Sequence, residues 1–149
     1  MGVLLLIGWA LWMQYGPNQR ISTVSTSAHQ TQQIRLPDNS TVTLYPNSSV
    51  RYARRWTDET PRAVWLKGEA DFSVMHRNDT TSARLFRVHT SDLTIEALGT
   101  AFQVSQQAAC TSVALTSGAV NLLVKHHNPI RLRSGEWIEV PTSLDKSLP

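Results

Sequence analysis

From Ile34 to Val140 the apolar residues return at every second position rather than every third or fourth. Val42 and Leu44 share a face in this rhythm, as do Val50 and Tyr52, Phe72 and Val74, Phe86 and Val88, and Leu93 and Ile95. Val120, Leu122 and Val124 continue it, and Ile130 and Leu132 resume it after a His126-His127-Asn128-Pro129 turn. Successive side chains of a strand point to opposite faces, so a period of two predicts strands that each bury one face. No stretch after Pro17 keeps helical spacing for three turns. The chain reads as all-β. Its 15 Thr and 12 Val agree, because β-branched side chains sit well on a pleated surface. With 149 residues, 41% of them hydrophobic, there is material for one packed core.

Five segments resemble one another. They are Ile34-Arg-Leu-Pro-Asp-Asn-Ser-Thr-Val-Thr-Leu44, Val64-Trp-Leu-Lys-Gly-Glu-Ala-Asp-Phe-Ser-Val74, Ile95-Glu-Ala-Leu-Gly-Thr-Ala-Phe-Gln-Val104, Val113-Ala-Leu-Thr-Ser-Gly-Ala-Val120 and Ile130-Arg-Leu-Arg-Ser-Gly-Glu-Trp-Ile138. Each is a strand, a tight turn on Gly or Asn, and a second strand. Asn39, Gly68, Gly99, Gly118 and Gly135 mark turns that need a positive φ or a close backbone approach. Such units stack as hairpins, either in a two-layer sandwich or in a solenoid-like pile, and periodicity alone does not choose between them.

The N-terminus is of another kind. Val3 to Met13 read VLLLIGWALWM, and no charge occurs before Arg20. A helix from Gly2 to Tyr15 rises only about 21 Å, against about 30 Å of hydrocarbon core. No basic residue precedes Val3, and Gln14-Tyr15-Gly16-Pro17 is a poor processing site, so a cleaved signal is disfavoured. Trp9, Trp12 and Tyr15 stand near one end, as interfacial anchors do. We read residues 1–16 as the outer part of a transmembrane helix whose start has been lost. Gly16-Pro17-Asn18 ends the helix. Residues 17–33, Ser/Thr-rich and nearly uncharged, read as a tether entering the first strand, followed by a β domain over 34–140 and a tail over 141–149.

The turn segments also resemble a known family. Leu36-Pro-Asp-Asn-Ser-Thr-Val-Thr-Leu44, Asn47-Ser-Ser-Val-Arg-Tyr52, Val64-Trp-Leu-Lys-Gly-Glu-Ala-Asp-Phe-Ser-Val74 and Phe86-Arg-Val-His-Thr90 stand in its order and spacing. Leu98-Gly-Thr-Ala-Phe-Gln-Val104, Thr116-Ser-Gly-Ala-Val120 and Leu132-Arg-Ser-Gly-Glu136 complete the pattern. From about Ser22 to Val140 the chain resembles the FecR family, membrane regulators of extracytoplasmic-function sigma factors. Leu-Lys-Gly-Glu-Ala and Leu-Gly-Thr-Ala-Phe are the specific segments, and Asn39 replaces the usual Gly. The resemblance implies a non-enzymatic, cofactor-free periplasmic signalling module of a single-pass inner-membrane protein. It implies a relay from a TonB-dependent outer-membrane receptor to a sigma factor. In such proteins the sigma factor is held by a cytoplasmic region before the membrane helix, and the receptor's signalling domain is met through a further C-terminal domain; both are expected to lie outside residues 1–149.

Candidate chemistry is sparse. Asp38, Glu69 and Asp71 lie in or beside turns, with no paired acid and base at a set separation; Glu69, after Gly68, is expected to accept backbone N–H bonds and fix its turn. His29, His76, His89, His126 and His127 are scattered without ligand spacing, and neighbours on a strand point apart, which makes a metal site awkward. The lone Cys110 rules out an intramolecular disulfide and any multi-cysteine zinc site, and it lacks a matched His and Asn for nucleophilic work. Arg51, Arg54 and Arg55 interleave with Tyr52 and Trp56, but Asp58 and Glu59 interrupt the charge. A net charge of +3 is too weak to name a nucleic acid as partner. The resemblance implies that this stretch is a linking segment between strands, and we read its arginines as a solvated surface that touches a protein partner. A second reading of the whole, a carbohydrate- or cell-wall-binding β module, would use Trp56, Trp65 or Trp137 as a stacking platform, and a co-planar exposed pair would favour it.

Overall fold

The computed structural model describes residues 2–15 and 20–141, and the side chains of 2–10 and 20–141. The Gly16-Pro17-Asn18 stop and the tail after 141 lie outside the described residues. Helix α1 (Gly2–Tyr15) is apolar on every side, and its side chains from Val3 to Ile7 are exposed, as is Trp9. No described helix is long and apolar enough to cross a membrane.

Thirteen strands follow among the described residues: β1 (Ile21–Ser25), β2 (Gln32–Arg35), β3 (Thr41–Leu44), β4 (Ser49–Ala53), β5 (Arg62–Lys67), β6 (Glu69–Ser73), β7 (Phe86–His89), β8 (Leu93–Ala97), β9 (Ala101–Gln106), β10 (Cys110–Ser117), β11 (Ala119–Val124), β12 (Ile130–Arg133) and β13 (Trp137–Pro141). They form two sheets, ordered β1-β4-β5-β7-β8-β11-β12 and β13-β10-β9-β6-β3-β2. The all-β, two-layer architecture is thus present, with the core between the layers. Phe72 of one sheet meets Phe86 of the other at 6.3 Å between ring centres, and both are buried. Every apolar pair anticipated from the alternation faces this core.

The strand–turn–strand units divide into two kinds. Around Asn39 (φ 68°) strands β2 and β3 pair directly, Ile34 opposite Val42. At Gly68, Gly99, Gly118 and Gly135 the two flanking strands belong to different sheets. Each of these four turns therefore carries the chain from one layer to the other. The reason is burial. A flat hairpin would leave both apolar faces on one side of a single sheet, whereas folding at the glycine lets the two faces meet. The same excursion explains the parallel pairing of β5 with β7, since β6 between them lies in the other layer.

The Ser/Thr-rich stretch expected as a tether is extended, but it is not free. Residues 21–25 are β1, paired along their length with β4 from Ile21↔Ala53 to Ser25↔Ser49. Thr26 is buried, and its hydroxyl donates to the Tyr45 carbonyl at 2.6 Å. Hydroxyls bonded to the backbone of neighbouring turns satisfy the chain here, so a polar stretch joins the domain without an apolar run to announce it.

Gly68 sets the tightest crossing. Its φ is +95°, and a Cβ there would stand 2.9 Å from the Cα of Ser48. Gly135 has a similar φ of +88° with open space around it. Alanine at Gly135 should cost only the left-handed backbone penalty, about 1–2 kcal/mol. Alanine at Gly68 should cost clearly more, because backbone must also move. Equal shifts in urea midpoint for the two variants would contradict this packing.

Candidate functional site

The turn acids each have a definite partner, and that of Glu69 is not the backbone expected for it. Glu69 does not collect backbone N–H groups. Its Oε1 accepts from Gln103 Nε2 at 2.6 Å, while its own N–H donates to Ser48 Oγ at 2.9 Å. The reason is position: Glu69 already belongs to β6, and its side chain lies along the sheet beside that of β9. Asp71 accepts from the Tyr45 hydroxyl at 2.5 Å, and that bond to a carboxylate raises the Tyr45 pKa. Asp38 holds its own turn through the Ser40 N–H and hydroxyl. It also meets Arg62, which sequence reasoning passed over.

Arg62 is completely buried. Its guanidinium donates to Asp38 Oδ2 at 2.5 Å, to the Met75 carbonyl at 2.9 Å and to the Arg84 carbonyl at 2.8 Å, and its charged carbon lies 5.4 Å from the Phe86 ring centre. It ties the β2–β3 turn to both ends of the 74–85 connection. A signal was available: Arg62, Val64 and Leu66 alternate in phase, so the arginine had to point inward with its strand.

The arginine-aromatic stretch is split rather than continuous. Arg51 and Tyr52 lie on opposite faces of β4, Arg54 and Arg55 are exposed in the β4–β5 connection, and Trp56 folds inward edge-on to Phe86 at 6.0 Å. Thus Arg51 belongs to a strand and not to a linker. Among the described residues no three His, Cys, Asp or Glu side chains come together as metal ligands.

What the fold does assemble is a transverse row on the outer face of the first sheet. Register places Thr23 opposite Arg51, Arg51 opposite Trp65, Trp65 opposite His89 and His89 opposite Thr94. Arg51 lies 5.3 Å from the Trp65 ring centre, and the His89 ring stacks on Trp65 at 5.3 Å and 24°. His89 Nδ1 and the Thr94 hydroxyl are 3.0 Å apart. Arg51 and His89 come from the strands flanking β5, so they stand on either side of the indole and leave its edge to solvent. Trp65 is 40% exposed and Trp137, on the other sheet, 68%. The three tryptophans considered for a sugar platform therefore form no co-planar pair.

Burial lowers the His89 pKa, and the Arg87 charge on the same strand lowers it further. As pH falls, the unfolded chain takes up this proton first, near pH 6.5. The stability tied to neutral His89 is therefore full above that pH and is lost as pH drops through the folded pKa. NMR titration should place His89 below an unstructured histidine, and His89→Gln should flatten the decline in stability between about pH 7 and pH 5. A His89 midpoint at or above the unstructured value would refute the assignment.

No functionally curated protein sequence matches the chain. Its fold is similar to that in two crystal structures of proteins from Parabacteroides distasonis ATCC 8503, each provisionally assigned as an anti-sigma factor. One, at 2.50 Å resolution, matches with a TM-score of 0.76 and 27% identity over 84% of this chain and 57% of that one. The other, at 1.65 Å, gives 0.74 and 27% over 83% and 56%. The chain spans little more than half the length of these two. The family model described as FecR protein matches residues 22–121, from β1 into β11. That match takes in every strand of the Trp65 row and most of both layers, and by it the chain belongs to the FecR family.

Proposed function

We propose that this chain is the extracytoplasmic signalling module of an inner-membrane regulator of an extracytoplasmic-function sigma factor. The observation that carries the reading is the joint match: one β domain fits both the family and structures assigned as anti-sigma factors. Helix α1, apolar on every side, serves as part of a single membrane anchor, since a helix without a polar face has no favourable place in water. In this reading the β domain faces the periplasm and works by binding rather than by chemistry. Contact with the signalling domain of a TonB-dependent outer-membrane receptor shifts the population of two states of the anchor, and the sigma factor responds on the other side. The edge strands β1, β12, β13 and β2 offer places where a partner strand can add.

Two measurements test this. Alkaline phosphatase fused after residue 141 should be active in cells, and β-galactosidase fused there inactive; the reverse would place the domain in the cytoplasm. In-frame chromosomal deletion of residues 21–141 should change transcription from promoters read by one alternative sigma factor. No such change under any receptor-inducing condition would overturn the regulatory reading.

A further inference from the structure

A groove of about 420 Å3 runs beside Trp65, where the end of β5 meets the β7–β8 turn. Two cations line it, Arg51 and Lys67, and no carboxylate does. Among the described residues neither cation has an ion-pair partner. Arg51 stands opposite Trp65 and Lys67 opposite Ser49, so the two cations are diagonal neighbours on one face of an antiparallel pair. That relation separates side chains by about 7–8 Å. Alternate side chains of an extended peptide are separated by about 6.6–6.8 Å, nearly the same spacing. Gln106 supplies a further feature: its amide nitrogen donates to Ser91 Oγ, while its buried Oε1 has no hydrogen-bond partner. An acceptor left this way is costly unless something donates to it.

We propose that this groove binds an extended peptide segment carrying carboxylates at alternate positions, an acid-x-acid sequence on a protein partner. One carboxylate meets Arg51 and the next meets Lys67. The backbone between them lies along the exposed edge of Trp65, and a peptide N–H donates to Gln106 Oε1. A single phosphate has no peptide N–H to give Gln106 Oε1, and a lipid surface is too flat to enter and supply that donor. The inference rests on the reading of the domain as a protein-contact module and names the surface and the chemistry of the contact.

The probe is an acetylated, amidated and fluorescently labelled Glu-Val-Glu-Val-Glu peptide, titrated into the full chain in non-ionic detergent. Binding should weaken as salt rises, because exposed charge attraction is screened. Arg51→Gln and Lys67→Gln should each weaken it about tenfold, the usual effect of losing one charge-assisted hydrogen bond. Gln106→Leu should weaken it without changing the salt dependence. All three side chains face outward or lie at the groove, and an unchanged melting temperature will verify that each variant is folded. Equal binding of Gln-Val-Gln-Val-Gln, or unchanged affinity in both cation variants, would overturn the proposal. So would displacement of the peptide by inorganic phosphate, or by phosphatidylglycerol vesicles, at the peptide's own concentration. These outcomes are separable from the promoter test above: peptide binding without a transcriptional effect would retire the sigma-factor reading alone, and the converse would retire the groove alone.

Discussion

Phe72→Ala should lower the unfolding free energy by about 3–5 kcal/mol, the range for removing a buried aromatic ring from a packed core. Phe72 is the side chain that joins the layers. It stacks on Phe102 of the adjacent strand at 5.2 Å and 17°, and it meets Phe86 of the facing sheet edge-on. No shift of neighbouring strands can refill the space, because each is held in its ladder by backbone hydrogen bonds. Phe102→Ala should cost a similar amount, and the double variant less than the sum, since the two rings share one contact. Urea denaturation of the three variants reads this directly through the midpoint at constant slope. A loss below about 1 kcal/mol in both single variants would show that the two layers do not meet at these rings.

Arg62→Met is the second large effect, again about 3–5 kcal/mol, and its cause is electrostatic. Removing the guanidinium leaves the nearly buried Asp38 carboxylate without its cation and strips donors from the Met75 and Arg84 carbonyls. Asp38→Asn alone should be milder, because those two carbonyls still accept from Arg62. Combining Arg62→Met with Asp38→Asn should recover part of the single-variant loss, since an apolar replacement for a buried ion pair is often tolerated. A strictly additive double variant would mean that the pair is not coupled and that the arginine acts only by filling space.

Much of this architecture is legible in the sequence alone. Alternation is a local property, so Val42 and Leu44, or Phe86 and Val88, reveal an inward face from their own spacing. The turn residues were legible for the same reason: Asn39, Gly68, Gly118 and Gly135 do take positive φ, a demand made by the backbone of single residues. Gly99 has no positive φ; a Cβ there would come within 2.6 Å of the His76 Cβ, so its crowding comes from a distant residue. The family resemblance was carried by these same turns.

Other features depended on which strands lie side by side, and that is settled by burial over the whole chain. Nothing near Gly68 says whether its strands pair or part; they part because the Phe72 and Val64 faces must meet across two layers. The residues of β1 are too polar to advertise a strand, and the pairing with β4 makes them one. Arg62 carries its inward phase in its own strand, yet its partner Asp38 is 24 residues away. The row from Thr23 through Arg51 and Trp65 to His89 draws on four strands scattered over nearly half the chain. Its chemistry follows from register between those strands, which local sequence does not encode, whereas the inward and outward faces that feed it follow from the two-residue repeat alone.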